Sequence, residues 1–303
     1  GIRYDRGRHI FFSAGTDGWI ICWDTSFRPL SKIKADDAGV SALDLDPASR
    51  TLVFGSYSGK VGKLTYSPDG RLSVIPGREG TQRHATAVKG VRVWLDRIYS
   101  VGKDGVLFIE RLNGQPVDSV YFDVALNSCS VSADGTHLLI GAAKGLYGYD
   151  CRKRVREVYR IASDIKGVEW VSPTRFATVS GQYLRVWQLH RTDGPVLTVN
   201  NNLRNLMMSV FVDTVNRLIY TGTWSGYIIC WDYSGKQLFL LDQLTSLADT
   251  NIIQAICGNQ DNTIVVTGDY DGNITSWYSP GRFLERELNI KTDCQVVKKM
   301  VGH

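Results

Sequence analysis

Apolar residues along this chain come in short runs, many alternating with polar positions and each closed by a turn signal. Arg8 to Ala14 is one such run, and after Asp17-Gly18 the segment Trp19 to Trp23 answers it. Two such runs joined through Asp-Gly or Ser-Gly read as a β-hairpin, with glycine at the turn because the reversal demands positive φ. Another short apolar stretch precedes each hairpin: Val40 to Leu45 before Asp46-Pro47, Val88 to Val93 before Leu95-Asp96, Leu126 to Val131 before Asp134-Gly135. A fourth follows, as in Gln237 to Leu241. The predicted unit is therefore four short strands.

The unit recurs. Phe12 to Asp24 is answered by Tyr220 to Asp232, which shares with it the run Ile-Ile-Cys-Trp-Asp. Weaker copies run through Val53 to Leu64, Tyr99 to Glu110, Leu139 to Asp150, Ala177 to Gln188 and Val266 to Tyr278, making seven. Turn glycines Gly18, Gly59, Gly105, Gly145, Gly226 and Gly272 are spaced by about 40 to 46 residues, with one double interval holding Ser180-Gly181-Gln182. That period suits four strands and disfavours helical solenoids. Sheets with two apolar faces are unstable alone but bury both when arranged radially. The expectation is an all-β, seven-bladed β-propeller forming one domain over 1–303, with repeats near 1–30, 36–75, 84–118, 122–160, 161–198, 203–242 and 249–290.

Trp23-Asp24 and Trp231-Asp232, with Trp187 and Trp277 at the same repeat position, make the whole chain resemble the WD-repeat propellers. The resemblance implies a hydrogen-bonded network of a third-strand Trp, a second-strand Ser or Thr, a turn Asp and a His before the first strand. Ser13, Asp17 and Trp23 match it in blade 1, and Thr267, Asp271 and Trp277 in blade 7. His84, Ser100 and Asp104 match in blade 3, where Glu110 replaces the Trp. Thr221 and Trp231 match in blade 6, with Ser225 where Asp is usual, and Asp36 and Asp249 stand where His would be. No blade carries all four, so several should be less rigid than a consensus repeat.

At the ends, Ile2 to Asp5 aligns with Leu43 to Asp46, so the chain begins partway into a first strand, as a processed or shortened chain would. Gln295 to Val301 looks like another first strand. Either residues 294–303 pair beside the N-terminal segment and close the ring, or they lead into a further domain.

Composition adds little: 43% hydrophobic, 21% charged, and a net charge of +5 spread along the chain describe a globular protein with no membrane insertion. Six cysteines form no CxxC pair, and Cys22 and Cys230 lie in apolar runs that suit buried thiols, which points to an intracellular protein, cytoplasmic or nuclear. Five scattered histidines offer no zinc spacing, and Asp269-Tyr270-Asp271-Gly272-Asn273 lacks the ligands of a calcium loop. Gly55 to Val61 fails the phosphate-loop pattern, and no nucleophile elbow is present. The expectation is no enzyme, no cofactor and no metal.

Strand direction sorts the loops into two faces. The top, holding the turns between second and third strands and the linkers between blades, gathers Trp224, Tyr270 and Tyr57, with Trp19 near by, beside Asp36, Asp37, Asp249 and Asp269. Rings beside carboxylates suit a basic or arginine-bearing peptide; the competing reading has the rings merely packing over the blade mouths. The bottom gathers arginines among interspersed acids, with Arg152, Lys153, Arg154 and Arg156 as the densest run. That run would serve an acidic protein, RNA or another anionic ligand, against a plain solvated turn face. The leading expectation is a scaffold for protein or peptide partners, a subunit of a larger assembly.

Overall fold

The computed structural model is all-β, with no helix among the described residues, and its strands pair into seven antiparallel sheets arranged as a β-propeller. The structure describes residues 1–75, 80–242, 252–259, 261, 263–278 and 296–301. Within each blade the strands pair in chain order, and blade 2 gains a short extra segment, Thr81–Gln82, on its third strand. In blade 1 these are Ile2–Asp5, Ile10–Ala14, Trp19–Trp23 and Pro29–Lys34. The first strands of the others are Val40–Asp46, Val88–Trp94, Leu126–Val131, Gly167–Ser172, Met207–Asp213 and Ile253–Gly258. Each first strand packs against that of the next blade around the ring, blade 7 against blade 1 included.

Apolar alternation explains the ring. Side chains alternate across a strand, so Phe12 and Cys22 join a buried cluster with Leu43, Phe54 and Leu64 of blade 2. Phe11, Ile21 and Trp23 point the other way and meet Cys257, Val266 and Ile274 of blade 7. Every strand pair is therefore greasy on both faces, and a fully buried Phe or Leu contributes about 1.5 to 3 kcal/mol. The thiols fill these joints: burial pushes Cys22 and Cys257 up to about 12, which leaves them unreactive packing groups.

A second-strand glycine sets how closely blades approach. A Cβ built on Gly55 would lie 2.4 Å from Val88, on Gly141 2.7 Å from Ile165, and on Gly222 2.4 Å from Ile253, each time in the following blade. At Gly268 the neighbour is Ile2, at 3.0 Å, so the ring closes by the same contact that joins the other blades. Gly222→Ala should cost about 1 to 3 kcal/mol through overpacking at the joint between blades 6 and 7. Thermal unfolding measures it, and an unchanged midpoint would show that this joint is not close-packed.

Two expectations need correction. Val296–Val301 does not pair beside the N-terminal segment; it is the fourth strand of blade 7, antiparallel to Asn273–Tyr278, with Ile274 opposite Met300 and Trp277 opposite Val296. The edge that needed a partner was that of the third strand, whereas the free edge of Ile2–Asp5 faces the axis. Gln295 itself lies outside the described residues. Gly145 is not a left-handed turn residue: it opens a strand opposite Ala142, and the chain reverses through Ala143 and Lys144 without positive φ. Gly18 does need the left-handed region, with φ of +79° and no room for a Cβ, which would meet the Asp36 carbonyl at 1.7 Å.

Candidate functional site

The tryptophans anchor the blades. Nε1 of Trp23 donates to Ser13 Oγ at 2.8 Å, that of Trp231 to Thr221 Oγ1 at 3.0 Å, and that of Trp277 to Thr267 Oγ1 at 3.0 Å. Trp187 finds Thr178 at 2.9 Å, a partner the sequence reading did not name although it lies nine residues upstream, against ten in the other blades. In blade 3, His84 shares hydrogen bonds with Asp104 at 3.1 Å and Ser100 at 2.8 Å, and Asp104 also accepts from the backbone of Ala85 and Val106. Asp17 accepts from the Trp19 backbone at 3.1 Å.

Blades 2, 6 and 7 cap the same turn from its other end. Lys60, Tyr227 and Asn273 donate their backbone N–H to Ser56, Thr223 and Asp269, each four residues upstream, where blades 1 and 3 carry Gly15 and Gly102. Asp271, expected in the network of blade 7, is consequently exposed, and Asp269 is buried in its place. Asp36 is buried too, accepting from Ser58 Oγ at 3.0 Å and from the Ala38 backbone at 2.8 Å. Of the four carboxylates expected to face a partner, Asp36 and Asp269 thus hold the turns together, while Asp37 is fully exposed beside Lys34. Asp249 lies outside the described residues.

Tyr57 and Tyr270, 40% and 62% exposed, flank one small cavity of about 120 Å³ at the top of blade 1, between blades 7 and 2. Glycine backbone at Gly15, Gly268 and Gly272 keeps its walls low. Burial, and then Tyr270, raises the Tyr57 hydroxyl above its ordinary value. Lys89 lies over the Tyr57 ring at 5.4 Å, and Asp269 lines the same cavity, so one cation and one carboxylate border it. The other two rings lie elsewhere. Trp19 packs into the joint between blades 7 and 1 with Lys32 over its face at 4.9 Å. Trp224, 43% exposed, hydrogen-bonds through its backbone to Leu206 at the top of blade 6.

Beside that cavity opens the central channel, a space of about 290 Å³. A bulge recurs near the start of the first strands: pairing slips between Val40 and Ala42, Val88 and Gly90, Leu126 and Ser128, Met207 and Ser209, and Ile253 and Ala255. Bulges re-aim side chains, and here the skipped residues Ser41, Lys89, Asn127, Met208 and Gln254 line the channel, with Lys166 at the matching position of blade 5. Lys103, from the turn of blade 3, joins them. Its Nζ donates to Asn127 at 2.6 Å, Asn127 donates to Asp164 at 2.7 Å, and Asp164 pairs with Lys166 at 2.6 Å. Burial and neighbouring lysines pull Lys89 and Lys103 below the ordinary lysine value. Deeper in the channel charge balances, Arg3 with Asp44 at 2.7 Å and Arg92 with Glu169 at 3.2 Å.

The basic run of the bottom face is largely occupied. Lys153 faces Asp150 and Arg154 faces Asp118, both at 3.7 Å, while Arg156 donates to the Tyr121 carbonyl and covers the Phe122 ring. Arg152 donates its backbone N–H to Asp150. Elsewhere on this face Arg8, Arg28 and Arg191 pair with Asp5, Asp24 and Asp193. Among the described residues no group of His, Cys, Asp and Glu is placed to hold a metal ion, and no helix is long and apolar enough to cross a membrane. Compared with protein-family models and with curated proteins, the chain matches none.

Proposed function

We propose that this chain is a non-enzymatic interaction module of the WD-repeat type, a subunit that presents its top face to protein partners. The buried Trp to Ser or Thr pairs of four blades and the His84, Ser100 and Asp104 set of blade 3 support the family reading. The observation that carries the functional reading is the cavity between Tyr57 and Tyr270. Exposed tyrosines supply large contact area at small entropic cost, and a closed ring holds them at fixed spacing, so a partner binds without ordering the scaffold. The cavity approaches the roughly 150 Å³ that holds a benzene ring, so one aromatic or branched side chain of a partner fits.

A partner should differ in charge from the one the sequence pattern predicts. With Asp36 and Asp269 tied into turns and Lys89 set beside Asp269 in the cavity lining, a neutral segment fits better than a basic one. The bottom face offers an anionic partner less, since most of its cations already face acids or carbonyls.

Affinity purification from cells with the wild-type chain identifies the partners, and the Tyr57→Ala, Tyr270→Ala double variant tests the cavity. Binding of at least one partner should fall tenfold or more, as for a hot spot worth about 1.4 kcal/mol or above. Tyr121→Ala, an exposed ring away from the cavity, should leave it unchanged. Undiminished binding by the double variant, with its melting temperature intact, overturns the reading.

A further inference from the structure

The top mouth of the channel carries charge that the fold leaves without compensation. Lys89, Lys103 and Lys166 come from three separate chain segments in two blades, and all line one cavity. Asp164 and Asn127 tie Lys103 to Lys166 through one continuous set of hydrogen bonds and an ion pair. Lys89 meets the Tyr57 ring instead of a carboxylate. Three ammonium groups against one carboxylate leave two positive charges in a partly desolvated space. Folding alone does not call for this arrangement, because crowded like charges oppose it. The pairs deeper in the channel, Arg3 with Asp44 and Arg92 with Glu169, are neutral and form its floor.

We infer that the channel mouth formed by Lys89, Lys103, Asn127 and Lys166 is an anion site that takes a phosphate dianion. The two uncompensated charges match a phosphate monoester, whose oxygens accept from ammonium groups converging from different blades. Asn127 holds Lys103 in place through its carbonyl oxygen, so the site is pre-organised across blades 3, 4 and 5. The inference stands independently of the tyrosine cavity, although Lys89 borders both.

Calorimetric titration of the full chain tests it, with inorganic phosphate and pyrophosphate as probes at constant ionic strength and sodium chloride as the control. Binding by wild type should weaken about tenfold or more in Lys89→Met and again in Lys166→Met, as for charge-assisted hydrogen bonds. The paired change Arg152→Ala, Arg154→Ala on the bottom face should leave it unchanged. Lys89→Met should also melt higher than wild type in phosphate-free buffer, because one repelling charge is gone, and this order should reverse in excess pyrophosphate. A short phosphoserine peptide forms a second arm: tighter binding than pyrophosphate assigns the phosphate to a partner chain, weaker binding assigns it to a small molecule, and either supports the site. Absence of phosphate binding, or equal binding by the lysine variants, overturns it.

Discussion

Glu110→Ala is expected to lower the stability by about 3 to 5 kcal/mol, the cost of removing one partner from a buried ion pair. Glu110 occupies the repeat position held by Trp in blades 1, 5, 6 and 7, and its carboxylate is 3% exposed. Lys63 of blade 2 reaches one oxygen at 3.1 Å, and Arg83, from the linker, reaches the other at 2.6 Å while covering the Phe108 ring. Alanine would leave both cations at the joint of blades 2 and 3 without the carboxylate they share. A fall in melting temperature of roughly ten degrees should follow. Lys63→Met and Arg83→Met combined with Glu110→Leu should recover much of the loss, since an apolar triad of similar volume needs no charge balance. A single variant within about 1 kcal/mol of wild type would mean that water already reaches this triad.

The repeat was legible because each blade solves one problem, hiding two apolar faces, and the solution is written in strand periodicity and turn residues. Trp231-Asp232 and Gly18 could be placed with no knowledge of their neighbours. The channel lysines could not. Lys89 looks like an ordinary polar position at a strand start, and only the bulge after Val88 directs it to the axis, while Lys166 reaches the channel from just before its strand. The acids of the top face misled for a related reason. Asp36 and Asp269 sit in loop sequence, where exposure is the natural expectation, yet each caps a turn that the adjacent residues leave short of an acceptor. Gly15 and Gly102 were the available signal: where that turn position is Gly, the acid two residues on does the capping, and where it is Ser, Thr or Asp the cap is already supplied. The final strand was misplaced because sequence similarity to a first strand says nothing about which sheet edge is open.

Trp231→Ala should be of similar size, about 3 to 5 kcal/mol for a large core truncation. The indole is 1% exposed, packs with Val171, Val179 and Val186 of blade 5, and donates to Thr221 within its own blade. Thr221→Val separates the two roles: it keeps the shape, removes the acceptor, and should cost only about 1 to 3 kcal/mol, the desolvation penalty of an indole N–H without a partner. Urea unfolding followed by tryptophan fluorescence and by circular dichroism gives both values. The form of the transition carries as much information as its midpoint. In an open repeat array each unit touches only its neighbours, and a weakened unit can melt separately. Here Ile2 of blade 1 seats on Gly268 of blade 7, so opening the joint between blades 5 and 6 leaves a ring that no longer closes. Trp231→Ala should therefore unfold in one transition by both probes, with an unchanged urea slope and a lower midpoint. A separate early step reported by one probe would mean that the blades are held in place mainly by pairwise contacts, with little contribution from closure.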